Sequence, residues 1–468
     1  MTPEEEEIFR DRIATVDENG KRIWIFPKKP FGRYFNKRQI LSYSLLILLF
    51  VLPFIKMEGE PFVMLNIIER KFIIFGHIFW PQDFYIFALA MIVGVVFVIF
   101  FTIIFGRIFC GWFCPQTLFM EMVFRRVEYW IDGDFTHQKK LDKAPWNKEK
   151  IFKRVLKHTI FAIISFVVAN LFLSYIISVD ELWKIIREPI SQHIGGFIAL
   201  IAFTFAFYFV FARLREQVCT TICPYGRLQG VLLDKNTMVI AYNNKRGEGE
   251  NGRAKFRKNE DRQALGKGDC IDCNQCVFVC PTGIDIRHGT QLECVNCTAC
   301  IDVCDSMMDA VGFERGLIGF LSENNIKENK SFQWTTRVKA YSVLLVALIG
   351  IMVTLLVTRT DFDTKIMRQR GTTFQVTQDG QVSNTFEIYV LNKTRKAYDI
   401  ELKLEGDHGT ITTAVKNLKL LPEKELKERF VLKIPYAQVK EMEVLYIDIY
   451  GNGKKIERVK TKFIGPIL

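Results

Sequence analysis

At 468 residues the chain has room for about three domains, and a hydrophobic fraction of 49% with 41 Phe exceeds what ordinary soluble cores require. The formal net charge is +12, but the excess Lys and Arg sit beside apolar segments, which points to membrane topology and away from a nucleic acid partner. All twelve cysteines fall between Cys110 and Cys304, and neither terminal region has any.

Residues 1–38 are polar, open with Glu4 to Glu7 and turn basic at Lys28, Lys29, Arg33, Lys37 and Arg38. The apolar stretch begins too late for a cleavable signal peptide and lacks a small-residue cleavage site. Ile40 to Ile55 reads as the first transmembrane helix, drawing in its flanks because it falls short of the ~20 residues a span needs. Residues 61–82, interrupted by Glu69, Arg70 and Lys71, read as a short hairpin at the membrane surface. Phe84 to Phe105 is the second span. Residues 118–131 mix apolar side chains with Glu121, Arg125, Arg126 and Glu128 at helical spacing, the pattern of an interfacial amphipathic helix. The third span runs from about His158 to Val179 and the fourth from about Ile194 to Ala212, joined by a short loop. Residues 243–269 read as a flexible, charge-rich linker, and Tyr341 to Val357 as the fifth span.

Basic residues crowd the N-terminus, the segment between spans two and three and the region after span four. By the positive-inside rule these parts are expected to be cytoplasmic, and with five spans the tail is expected on the periplasmic side. That tail alternates apolar and polar residues in short runs such as TFEIYVLN, YDIELKLEG, ERFVLKIP and VLYIDIYG, the pattern of an immunoglobulin-like β-sandwich. The expected organisation is a cytoplasmic segment 1–38, a four-span region 39–242, a linker and ferredoxin module 243–336, a fifth span 337–358 and an all-β domain 359–468.

The most specific motif is the doubled run Cys270, Cys273, Cys276, Cys280-Pro281 and Cys294, Cys297, Cys300, Cys304. Three cysteines at intervals of three and a fourth further on form the bacterial ferredoxin pattern, in which the fourth cysteine of each run ligates the other cluster. The expected ligand sets for two [4Fe–4S] clusters are Cys270, Cys273, Cys276 and Cys304, and Cys280, Cys294, Cys297 and Cys300. Zinc would leave the third in-phase cysteine of each run surplus. Disulfides compete poorly, because cysteines this close in a reducing compartment more often hold metal or do redox work. Asp305 stands where the second run would carry proline. No two histidines face each other across spans as haem ligands would, so no b-type haem is expected.

The remaining four cysteines form two Cys-x3-Cys-Pro motifs, Cys110 to Pro115 and Cys219 to Pro224, each after an even-numbered span. If helical, each pair shares one face at i, i+4, and the four thiols converge on one site. Arg107, Arg213, Arg215 and Arg227 nearby would favour thiolates. Soft thiolates select Cu(I) and also support dithiol–disulfide exchange; the bland alternative is buried structural thiols.

The strings FCGWFCPQT and CTTICPYGRLQG, with five spans, a two-cluster ferredoxin and a β-rich tail, resemble the cytochrome c oxidase accessory proteins of the CcoG/FixG/RdxA type. The resemblance covers nearly the whole chain. It implies a multi-pass inner-membrane oxidoreductase that supports cbb3-type oxidase assembly by reducing Cu(II) to Cu(I), with Cys110, Cys114, Cys219 and Cys223 as the copper or redox thiol site. The implied partners are oxidase subunits or copper-handling assembly factors, and an electron donor that the sequence does not identify. Two other readings share the architecture: a quinol dehydrogenase feeding a periplasmic reductase, and a non-enzymatic scaffold acting through the tail.

Overall fold

A computed structural model describes residues 15–17, 19, 21–57, 59–67, 71–258, 260–262, 264–328, 333–369, 371, 373–406, 409–413, 418–439 and 442–466. The chain forms two compact units, one from Met1–Ile67 with Phe87–Ile351 and one from Ile68–Ile86 with Met352–Leu468.

Five helices among the described residues are long and apolar enough to cross a membrane: Arg33–Phe54, Phe84–Phe105, Lys148–Ile177, Ile194–Leu214 and Thr336–Val357. The second has the expected bounds, whereas the first starts at Arg33 and carries Arg38 and Ser42 buried on its inner face. The third starts ten residues before His158, because the Asn147 side chain caps the Lys150 N–H and the basic run continues as helix. Lys150 then caps carbonyls with its ammonium, donating to Asp142 O and Ala144 O. Spans three and four are joined by an amphipathic helix, Val179–Arg187, where a plain loop was expected.

Residues 118–131 do not form an interfacial helix. The segment is built as Pro115–Leu118, a π-turn at Phe119–Phe124 and a helix at Arg125–Ile131, and most of it is covered, with Trp130 exposed. Phe124 stacks on Phe211 with ring centroids 4.5 Å apart and meets the edge of Phe161 at 4.8 Å. Most of its charges are paired and turned inward: Arg215 grips Glu128 through two hydrogen bonds of 2.7 Å, Arg125 pairs with Glu121, and just beyond the segment Lys157 pairs with Asp132, while the half-buried Arg126 donates to Gln39. Helical spacing of charges marks a polar face, but the sequence does not say whether water or other charges cover that face.

The supposed flexible linker is also ordered by packing. Arg262, 5% exposed, donates to Ala254 O, Gly268 O and Cys270 O, and Arg246 pairs with Asp269. Gly268 lies so close to Gly247 that an added Cβ would stand 2.0 Å from its carbonyl oxygen, so glycine here serves close packing. Beyond this loop, Val239–Tyr242 pairs antiparallel with Ile318–Leu321 beside the helix Ala299–Val311.

In the second unit two sheets enclose a common core. One carries Phe362–Arg368, Gln381–Asn392, Glu425–Pro435 and Thr410–Thr413; the other carries Leu418–Leu420, Tyr398–Leu404, Met442–Gly451 and Lys454–Ile464. Alternate residues of both sheets, among them Phe386, Ile388, Phe430, Leu432, Ile447 and Phe463, bury fully between them. The run ITTAVKNLKLL splits between the sheets, with residues 414–417 outside the described set, and the strand Phe362–Arg368 is an addition to the expected runs. Lys71–Ile74 and His77–Phe79 form the expected hairpin. It is fastened to this unit where Asp83, 2% exposed, receives hydrogen bonds from Arg359 and Lys393.

Candidate functional site

The eight ferredoxin cysteines line two cavities. Cys270, Cys273, Cys276 and Cys304 line one, with Met307 and Met308 beside them. Cys280, Cys294, Cys297 and Cys300 line the other, together with Cys276. The fourth cysteine of each run therefore reaches the cavity of the other run.

The repeat in sequence becomes a repeat in backbone. The residues on either side of each middle cysteine, Asp272 and Asn274 in the first run and Asn296 and Thr298 in the second, have φ of 51°, 56°, 52° and 68°. Asp and Asn tolerate this left-handed region, whereas a β-branched Thr298 is strained there and is held by complete burial. Each reversal wraps the loop around its cavity. Pro281 ends the first run, but at Asp305 the helix Ala299–Val311 continues past Cys304, and the Asp305 carboxylate accepts the Gly316 N–H. Proline there would remove a helical hydrogen bond and clash with the preceding turn.

Burial pushes the thiols of Cys276 and Cys294 up to about 12 and that of Cys297 up to about 11. Thiolates in these cavities need bound cations to offset their lost hydration. The donor set fits two four-iron clusters: four soft ligands per cavity, all twelve cysteines unbridged, and a loop pattern repeated at both.

The two Cys-x3-Cys-Pro elbows share one design that differs from the expected helical face. The first cysteine lies in a short turn, Ile108–Trp112 or Val218–Ile222, and the second has left it with extended ψ of 123° or 115°. Cys114 N–H donates to Phe109 O at 3.0 Å and Cys223 N–H to Val218 O at 2.7 Å, so each pair closes a wide five-residue turn. The following proline imposes this by excluding helical ψ on the cysteine before it, and then opens the next helix. The thiols still converge: Cys219 lies within the electrostatic reach of Cys110, Cys114 and Cys223.

Gln229, fully buried, donates its amide to Cys110 Sγ at 3.1 Å. At Gly226 a Cβ would stand 2.3 Å from Cys219 O, so only glycine lets this helix lie against the second elbow. Burial pushes Cys110 up to about 11 and Cys219 up to about 12. The nearby arginines do not reverse this. Arg107 favours the Cys110 thiolate but less than burial opposes it, Arg215 is committed to Glu128, and Arg213 lies over Trp24. The Arg227 side chain is outside the described residues. Among the described residues no three His, Cys, Asp or Glu side chains stand close enough to share one metal ion, so an ion at the elbows would have to draw the thiols together.

The first elbow docks on the loop of the second cavity. Trp112 donates its indole N–H to Asn296 O at 3.2 Å, Asn296 donates to Phe105 O at 3.3 Å, and Cys110 packs against the apolar cluster that includes Val295 and Cys297. A Cβ on Gly111 would lie 2.4 Å from Val295 O. Sequence spacing finds the cysteines but not Gln229, Trp112 or Asn296, whose roles come from contacts more than a hundred residues apart in the chain or between separate motifs.

Residues 87–137 match the 4Fe-4S binding domain family, 214–323 the 4Fe-4S dicluster domain family, and 352–466 the immunoglobulin-like fold found at the C-terminus of FixG. The chain is 30% identical over 429 residues to the nitrogen fixation protein FixG of Rhizobium meliloti, covering 82% of this chain and 80% of that one. It is 33% identical over 404 residues to protein RdxA of Cereibacter sphaeroides, covering 83% of each. The chain belongs to the FixG/RdxA family. Its fold is the one expected for such a member, with five apolar helices, a two-cluster ferredoxin region and an immunoglobulin-like C-terminal domain. A FixG-related crystal structure from Vibrio parahaemolyticus aligns with 23% of the chain and all of its own length, at 19% identity and a TM-score of 0.21, too low to establish a shared fold by itself.

Proposed function

We propose that this FixG/RdxA-family chain is a membrane-bound electron-transfer protein that supports assembly of a cbb3-type oxidase by reducing Cu(II) to Cu(I). The observation that carries the reading is that the four elbow thiols lie within electrostatic reach of one another, with Cys110 packed against the cluster that contains Cys297. In this reading Cys270, Cys273, Cys276 and Cys304 hold one cluster, and Cys280, Cys294, Cys297 and Cys300 the other. Four-iron clusters supply low-potential one-electron reduction when bound. Cys110, Cys114, Cys219 and Cys223 would bind the cupric ion as substrate and retain the cuprous product through thiolate softness. Each ion takes up one electron, supplied in turn by an external one-electron donor.

The N-terminus, elbows and ferredoxin region are assigned to the cytoplasmic side and the immunoglobulin-like domain to the periplasm, on the distribution of basic residues. The domain boundaries proposed from sequence, 39–242, 243–336, 337–358 and 359–468, keep the redox residues in one stretch and the docking domain in another. Oxidase subunits or copper-handling assembly factors are the proposed partners of the latter.

The test compares Cu(II) reduction by the purified chain and by a C110S/C223S variant, each loaded with iron and sulfide, reduced with dithionite and freed of the excess before Cu(II) is added. The expected result is loss of most of the rate in the variant; equal rates would remove the elbow thiols from the reaction. Cluster reduction by a quinol analogue would favour the quinol dehydrogenase reading instead.

A further inference from the structure

Buried cations are normally neutralised by buried carboxylates, because an unpaired charge away from water is costly. The chain follows this rule around Arg215, Lys157 and Arg125. Lys150 and Arg262 depart from it by donating only to backbone carbonyls, and so do two arginines flanking the first elbow, each of which also leaves a guanidinium nitrogen over. Arg38, 2% exposed, donates Nε–H to Gly111 O at 2.7 Å, and its Nη2 has no hydrogen-bond partner among the described residues. Arg107, 5% exposed, donates Nη2–H to Gly226 O, and its Nε likewise has none among them. Among the described residues neither has a carboxylate within 4.0 Å.

What they face is a set of thiols. Arg107 lies within electrostatic reach of Cys294 as well as Cys110 and Cys219, and Arg38 of Cys297, where it outweighs the more weakly felt Glu121, itself paired with Arg125. The backbone agrees: Asn296 is bonded to Phe105, two residues before Arg107, and lies 3.5 Å from Cys294 Sγ through its Oδ1. The other cavity is closer to balanced. Arg287 is already matched by Asp285 and Asp272 at 2.6 Å each, Asp305 adds negative charge beside Cys304, and Arg262, which donates to Cys270 O, is its one buried guanidinium without an ion pair among the described residues. Two cavities with the same four-cysteine chemistry thus sit in different fields.

Building on the proposed function, we infer that Arg38 and Arg107 are positioning residues that act as counter-charges for a cluster held by Cys280, Cys294, Cys297 and Cys300. They raise its reduction potential above that of the cluster held by Cys270, Cys273, Cys276 and Cys304. A cluster with four thiolate ligands gains one negative charge on reduction, and net charge is one of the determinants of its potential. Two uncompensated guanidinium groups therefore stabilise its reduced form. The electron taken up from the external donor settles on the side where Cys110 packs, one cluster being oxidised as the other is reduced.

The test is a redox titration followed by EPR on the full-length chain, with R107M, R107K, R38M and R38K, each with iron and sulfide content measured. C273S and C300S chains assign the two signals. In the parent chain the signal lost in C300S should titrate at the higher potential. R107M and R38M should each shift that signal negative by about 59 mV, a tenfold change in its one-electron equilibrium. The other signal should stay in place, and both lysine variants should keep the parent value. Selective loss of the C300S-type signal in the methionine variants, with the lysine variants fully loaded, would equally support the counter-charge. An unshifted signal in loaded methionine variants, equal shifts of both signals, the reverse order in the parent, or cluster loss in the lysine variants too would overturn it. No readout requires copper: if these shifts appear while C110S/C223S still reduces Cu(II) at the parent rate, the copper reading fails and the role of the arginines stands.

Discussion

The Gln229 side-chain amide donates to Cys110 Sγ at 3.1 Å, tying the helix that follows the second elbow to the first thiol of the first. A hydrogen bond to a thiolate favours the charged form, opposing the burial that pushes Cys110 up to about 11. Hydrogen bonds to charged groups contribute about 1.5–3 kcal/mol, so Gln229→Leu is expected to slow alkylation of Cys110 at pH 8 by roughly tenfold or more. Peptide mass spectrometry after timed iodoacetamide labelling of the cluster-free chain measures this, with Cys114 as internal comparison.

Glu128 tests the buried charge network. Burial alone would raise its carboxyl pKa, but Arg215, Lys157 and Arg125 together outweigh it and hold it below the ordinary value of 4.5. A depressed pKa contributes stability that is complete above 4.5 and is lost as the pH falls through the folded-state value. Thermal unfolding in detergent is therefore expected to lose this contribution only below the ordinary carboxylate range. Glu128→Gln should lower stability at neutral pH by about 3–5 kcal/mol, because Arg215 and Lys157 lose a buried partner, and it should remove this part of the acid dependence.

Asp305→Pro would bring the second cysteine run closer to the ferredoxin string and yet weaken the protein. The helix Ala299–Val311 continues through this position, and an interior proline costs about 3 kcal/mol or more. Reduced iron content after reconstitution, with Asp305→Ala close to the parent, is the expected result. Equal loading of the proline variant would show that the helix can end at Cys304.

Gly111→Ala places a methyl group 2.4 Å from the Val295 carbonyl, and backbone is on both sides of that contact. Forced overpacking typically costs about 1–3 kcal/mol. The expected outcome is a lower unfolding temperature together with a slower reaction at the elbow thiols, as the first elbow is pushed off the cluster loop. An unchanged rate in a destabilised chain would separate docking from electron delivery.

Much of this protein was readable without coordinates, for local reasons. A run such as Phe84 to Phe105 has a length and composition that only a span-like helix satisfies, and its bounds were met. The doubled spacing of the eight cysteines is local as well, and Cys280 lines the cavity of the second run and Cys304 that of the first. Readings that depended on what covers a surface fared differently. The charges at Arg125 and Glu128 looked like a water-facing stripe, and the glycines at 247 and 268 like a flexible linker, until partners from distant segments were placed on them.

By itself, then, the sequence determined which residues are candidates for the chemistry: eight cysteines whose spacing wraps loops around two cavities, and four whose prolines turn the chain just beyond a span. Only the tertiary structure decided what lies beside them, placing Cys110 against the apolar cluster that includes Val295 and Cys297 and leaving Arg38 and Arg107 buried without carboxylates, among the described residues, on the same side. The physical reason is that ligand spacing is a short-range property of the backbone. The field at a redox centre is a sum over charges brought together from remote parts of the chain, and burial determines how strongly each one counts.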